Sequence, residues 1–222
     1  MLPAHGKISC RQCFSSAHEK VCAPNADWRI VNDPGAWGGG ENPDYLVLGF
    51  SKGATQANIY EKGVFEDVAF AKMRPRLTQA LQAVGVLPAN ETADEKIANP
   101  NSNIAFGSLI RCSVSRYDKK ESAKKESRIY ACTGQLITKS FSEIPEIVSN
   151  CTKKFMVNLP NSIKTVIFLS NSDAYVLGCQ NILRTLFPKD FRLINPMSSF
   201  ADGRGWVHVA HASGLNGHSI LG

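Results

Sequence analysis

Two groups of side chains in this sequence have the types and spacing to do chemistry. Cys10-Arg11-Gln12-Cys13 is a CxxC pair, a spacing that lets two thiolates reach one metal from a tight turn. Such a metal needs two more ligands from elsewhere, and the chain has seven cysteines in all. The second group is Gly49-Phe50-Ser51-Lys52-Gly53, where glycines bracket a serine directly after an apolar run. As written this is G-x-S-x-G, the elbow that presents a nucleophilic serine in α/β-hydrolases, and Ser51, Asp173 and His211 follow the order of that triad. The hydrolase elbow, however, follows several strands, whereas only about 48 residues precede this one and they contain the CxxC.

Certain elements must position these residues. Tyr45-Leu46-Val47-Leu48 ends in a glycine and follows an Asn42-Pro43 turn, the pattern of a strand buried on both faces of a parallel sheet. Ligands of open α/β sheets bind outside the carboxyl ends of the strands, so the glycine turn is expected to wall a cleft. Further apolar runs predict strands at 104–111 (leading into Cys112), 164–169, 191–194 and 206–210 (ending at His211). Helical spacing of apolar residues predicts helices at 73–84, 144–159 and 175–186, with Gly85 ending the first and Pro145 opening the second. Residues 14–40, 54–72 and 87–103 read as loops or irregular chain, with Trp28 and Trp37 pinning the first of these to the body. The alternation predicts a three-layer α/β/α fold with a central, mostly parallel sheet. It forms one domain over 1–222, with 1–40 as a cysteine-bearing N-terminal extension.

The 222 residues suffice for one well-buried core, and 43% hydrophobic with 20% charged residues is ordinary for a globular chain. No apolar run approaches the roughly 20 residues that span a bilayer, and the N-terminus lacks a signal-peptide pattern, so a cytoplasmic protein is expected. An odd cysteine count without an export signal argues against a disulfide framework. The net charge of +6 is compatible with a polyanionic partner. The Lys-, Ser- and Glu-dense run at 117–128 reads as a solvated loop or frayed helix.

Four stretches spread over most of the chain resemble the uracil-DNA glycosylase superfamily, and within it the branch that carries an iron–sulfur cluster. The run from Glu41 to Gly49 is similar to the family's first motif, a strand after an asparagine-proline turn that leads into a glycine-rich loop. Gly63-Val64-Phe65 resembles the later part of that loop, where a phenylalanine stacks on the extruded base. Leu109-Ile110-Arg111-Cys112 resembles the strand that ends in a basic residue and the third cluster cysteine. His211-Ala212-Ser213-Gly214-Leu215-Asn216 is similar to the second motif, His-Pro-Ser-x-x-Asn.

The resemblance implies cleavage of the N-glycosidic bond of uracil or another damaged base in DNA, single-stranded or duplex, by a monomer. His211 would donate to a base carbonyl, Phe65 would stack, and Ser108 would stand where the family reads uracil with an asparagine. Gly49, Phe50 and Gly53 would shape the base pocket, and Ser213 and Asn216 would grip the DNA backbone. Cys10, Cys13, Cys112 and Cys151 would hold a structural [4Fe–4S] cluster. Zinc is the alternative metal and Cys132 the alternative fourth ligand, with Cys22 and Cys179 left as core thiols. The chain departs from the pattern at Phe50-Ser51-Lys52, where the family places an acid or amide that positions water. Glu61, Glu66 and Asp67 lie downstream on the same loop, and Lys52 offers an amine. A catalytically inactive nucleic-acid-binding protein of the same fold is therefore the principal alternative, ahead of a hydrolase using Ser51.

Overall fold

The computed structural model describes residues 2–133, 135–170, 173–186, 188, 191–195, 209–212 and 218–221. The N-terminal forty residues contain four short strands, β1 (Gly6–Lys7), β2 (Val21–Cys22), β3 (Trp28–Val31) and β4 (Gly35–Gly38). The apolar run after Pro43 forms β5 (Tyr45–Gly49), and the glycine turn leads into α1 (Ala54–Lys62). Two more helices follow, α2 (Arg74–Ala83) and α3 (Ala93–Ala98). Next come β6 (Ile104–Ser108), β7 (Ser113–Tyr117), α4 (Lys119–Lys125) and β8 (Tyr130–Ala131). Helices α5 (Leu136–Glu143) and α6 (Pro145–Met156) meet at Ile144, where Pro145 occupies the first helical position and needs no amide partner. The chain continues through β9 (Thr165–Phe168), α7 (Asp173–Leu186), β10 (Phe191–Asn195), β11 (Val209–Ala212) and β12 (His218–Leu221).

The fold is mixed α/β. Eight strands form one sheet in the order β1-β4-β6-β5-β9-β12-β11-β10, and only its centre, β6-β5-β9-β12, is parallel. Both flanks are antiparallel, which corrects the expectation of a mostly parallel sheet. Glycine- and tryptophan-rich chain at 28–40 pairs as strands through its backbone without an apolar run to announce it. A second sheet, β2-β3-β7-β8, is antiparallel throughout.

Alternation along β5 divides the interior in two. Leu46 and Leu48 face a cluster that includes Val166, Phe168, Ile147, Val148, Phe155, Tyr175 and Leu183, so α6 and α7 cover that side. Val47 faces the other cluster, with Ile104, Phe106, Ile167, Leu77, Leu81 and Ile97, so α2 and α3 cover the opposite side. Burying each such side chain contributes about 1.5–3 kcal/mol. The short α3 was not legible from apolar spacing, yet Thr92 and Glu95 form a reciprocal capping box that specifies its start. Both tryptophans pin the N-terminal segment as expected. Buried Trp28 donates Nε1–H to Glu143 at 2.9 Å, and buried Trp37 donates to the Phe65 carbonyl at 2.9 Å.

Candidate metal centre and adjoining cleft

Cys10 and Cys13 lie on the turn after β1, Cys112 stands between β6 and β7, and Cys151 is on the inward face of α6. These three chain segments meet, because all four cysteines line one small pocket with a cavity volume of about 10 Å³, room for about one water. Cys132 does not line it. Its half-buried thiol sits instead near the backbone of Ala54, at the start of α1. Cys22 and Cys179 are buried in the hydrophobic core, as their sequence context predicted.

The pocket is electrostatically unusual. Arg111 also lines it, is 3% exposed, and has no hydrogen-bond partner for Nε or Nη1 among the described residues. Its guanidinium lies 5.2 Å from the centre of the Phe155 ring, and burial lowers its pKa to about 10. Gly107 makes room for it, since a Cβ there would run into Nη1. Two donors from α6 point at the thiols: Lys154 Nζ is 3.3 Å from Cys10 Sγ, and Asn150 Nδ2 is 3.5 Å from Cys13 Sγ. Burial raises the thiol pKa values of Cys13, Cys112 and Cys151, that of Cys151 to about 11, and so by itself favours the protonated thiols. Metal binding would displace those protons.

Among the described residues no three His, Cys, Asp or Glu side chains converge closely enough to hold one ion. Four thiolates on a single zinc each lie about 2.3 Å from it, which demands a tight knot of sulfurs. Four thiolates are the donor set of either an iron–sulfur centre or zinc.

Comparison with protein-family models, curated proteins and solved structures finds no match to this chain. The site therefore stands on its geometry.

The glycine turn adjoins the pocket through Lys52. Its side chain is 1% exposed, donates to the Arg111 carbonyl at 2.5 Å, and lies 3.3 Å from Asp33 Oδ1. Asp33 in turn accepts from the Ser113 amide and hydroxyl at 2.6 and 2.5 Å. Lys52 thus ties the turn to the cysteine loop, and a buried ion-paired amine is not positioned to attack a sugar. Phe50 is 7% exposed and packs edge-on against Tyr175, so it belongs to the core and not to a base pocket. Ser51 and Gly53 remain half-buried at the surface of the turn.

The remaining expected residues are divided. Ser108 is paired with Gly49 across β5 and β6, so these two share the carboxyl end of the sheet. Phe65 stacks flat on Trp37, with centroids 4.8 Å apart and 12° between planes, so that ring face is already covered. The residue beside the turn is Phe70: an added Cβ at Gly49 would meet its ring at 3.4 Å. Phe70 is half-buried and has a φ of 53°, rare for a bulky side chain and characteristic of constrained sites. No sequence periodicity marks it, although an aromatic on the segment after the motif was a visible clue.

The His211 backbone is aligned away from the turn. The expected final parallel strand is β11, and it runs antiparallel to β12. His211 is aligned with Ser219, Ser219 with Thr165, and Thr165 with Tyr45, the first residue of β5. Its backbone is therefore three strand spacings across the sheet, about 14 Å, and four residues, about 13 Å, back from Gly49. The same register separates His211 from Ser51, and Ser51 is not among the positive-φ residues that a strained nucleophile elbow would include. Ser213 and Asn216 lie outside the described residues.

Proposed function

We propose that this chain is an iron–sulfur protein of uracil-DNA glycosylase-like, three-layer α/β/α architecture that recognises a base in DNA at the carboxyl ends of β5 and β6. The observation that carries it is the meeting of Cys10, Cys13, Cys112 and Cys151 at one pocket beside buried Arg111, whose Nε and Nη1 have no hydrogen-bond partner among the described residues. A buried guanidinium without a counter-charge costs several kcal/mol, and a tetrathiolate cluster, being anionic, is a fitting complement. Bound there, a [4Fe–4S] cluster would act as a cross-link holding the N-terminal extension and α6 to the loop after β6. Lys154 and Asn150 would donate to its sulfur ligands. A cytoplasmic setting, in which thiols stay reduced, suits this chemistry.

At the carboxyl ends of β5 and β6, Phe70 offers a ring beside Gly49 and Ser108 offers a hydroxyl that donates and accepts. Of the two forms of this reading, binding without excision is the better supported. No acid stands on Phe50-Ser51-Lys52, Lys52 is engaged by Asp33, and the His211 backbone is aligned with the opposite end of β5.

Two measurements test the proposal. Anaerobically purified protein should contain iron and acid-labile sulfide and absorb broadly near roughly 400 nm; protein that holds zinc or no metal defeats the cluster. Uracil-containing single- and double-stranded DNA should be bound but not cleaved. Cleavage that is lost in His211→Ala would restore the excising enzyme.

A further inference from the structure

The second sheet has a face that none of the chemistry above uses. Along β3, Trp28 and Ile30 are buried while Arg29 and Val31 point outward. Pairing Arg29 with Ser115 and Tyr117 with Tyr130 sets these four on the same outer face, opposite the buried Val114. Val21 and Val31, a cross-strand pair, are 44% and 37% exposed at its other end. The tyrosines and arginines interleave: Arg29 lies 4.7 Å from the Tyr130 ring centre, and Arg128 lies 4.4 Å from Tyr117 and 5.6 Å from Tyr130.

Charge is concentrated beside that face. From Arg116 to Tyr130 the chain carries six Lys or Arg against three Asp or Glu, half of the whole protein's net +6. Helix α4 lies between β7 and β8, and the Asp118 amide bonds the Ile129 carbonyl, so its lysines border the tyrosine end of the sheet. Lys119, Lys120, Lys124 and Lys125 are exposed, and of these only Lys124 has an ion pair among the described residues, with Glu121. Asp27 pairs with Arg128.

A solvated lysine helix alone would be unremarkable surface. An antiparallel sheet face with two tyrosines and two stacked arginines, one of them paired with Asp27 at its edge, is a different object. Aromatic and guanidinium planes accept unstacked bases, while bordering lysines neutralise phosphates. A duplex hides its bases from such a face. We infer that the outer face of β2-β3-β7-β8, with α4 at its border, is a binding platform for single-stranded nucleic acid. It lies on a different sheet from the Gly49 cleft and needs neither the cluster nor base excision, so the iron and uracil measurements leave it standing or falling separately.

The test is fluorescence anisotropy on the full chain with labelled oligothymidylate and oligouridylate of about 20 nucleotides, longer than one platform's site, and a blunt duplex of equal length. Both single strands should bind more tightly than the duplex, with affinity falling steeply as salt rises. Tyr117→Ala/Tyr130→Ala should weaken single-strand binding by about tenfold or more, while Tyr130→Phe retains it. Lys119→Glu/Lys120→Glu should weaken binding to all nucleic acids and flatten the salt dependence. Circular dichroism confirms that each variant is folded, and Tyr130→Phe keeps the test valid if the double alanine variant is not. Absent single-strand binding, indifference to the tyrosines, or equal capture of heparin or anionic lipid vesicles would overturn the platform.

Discussion

The ammonium of Lys52 stands 3.3 Å from the Asp33 carboxylate with the two side chains only 1% and 5% exposed, and it joins the glycine turn to the loop that bears Cys112. Removing one partner strands the other in the interior. Lys52→Met is expected to cost about 3–5 kcal/mol, while Asp33→Asn in the same chain should recover part of that loss. Urea denaturation of both single variants and the double variant measures the coupling, and additive losses would show that the pair is not an interacting unit.

Cysteine variants should separate ligands from bystanders. Cys13→Ser and Cys151→Ser are expected to take iron and sulfide from about four each per chain to near background. Cys132→Ser and Cys179→Ser should leave both unchanged. Metal analysis decides it, and loss of iron on changing Cys132 would exchange the fourth ligand.

The two phenylalanines of the cleft segment should fail in different ways. Phe70→Ala is expected to weaken binding of a base-bearing oligonucleotide at the cleft by about 1–3 kcal/mol with modest change in melting temperature. Phe65→Ala removes the ring stacked on Trp37 and should instead destabilise the fold by about 3–5 kcal/mol. Anisotropy and calorimetry on the two variants would expose a reversal.

Glu143 gives a pH signature. Hydrogen bonds from Arg116 lower its pKa first of all, and the Trp28 indole bond and the nearby Lys139 charge act the same way. A carboxylate with a lowered folded pKa adds stability above its unfolded pKa of about 4.3, and that stability is lost as pH falls through the folded value. Since the side chain is 28% exposed, solvent trims the contribution to about 1 kcal/mol. Glu143→Gln should therefore destabilise at neutral pH, and the difference should close on acidification. A gap that widens in acid would contradict the sign.

Much of the α/β core was readable before folding. Tyr45 to Leu48, the run from 164 to 169 and the helices containing Leu77 and Ile147 carry strong local periodicity, because each must bury a stripe or a whole strand. Apolar runs announced the outer strands near 191–195 and 209–212 but not their antiparallel direction, and β4 and the second-sheet strand β3 are held by backbone pairing that leaves little mark in side-chain order. The CxxC was visible as a candidate ligand pair from residue type and spacing, whereas Cys112 and Cys151 were expected only through the family resemblance. The choice of Cys151 over Cys132 at the pocket is a matter of which helix face turns inward.

By itself, then, the amino-acid order determined the buried strands, the helices that cover them and the supply of thiols, all consequences of local hydrophobic pattern and residue chemistry. Only the tertiary structure decided that four distant cysteines and Arg111 share one pocket, that Lys52 is sequestered by Asp33, and that His211 runs on an antiparallel strand away from Gly49. Those relations depend on strand order and direction, which long-range pairing sets and a one-dimensional pattern does not encode.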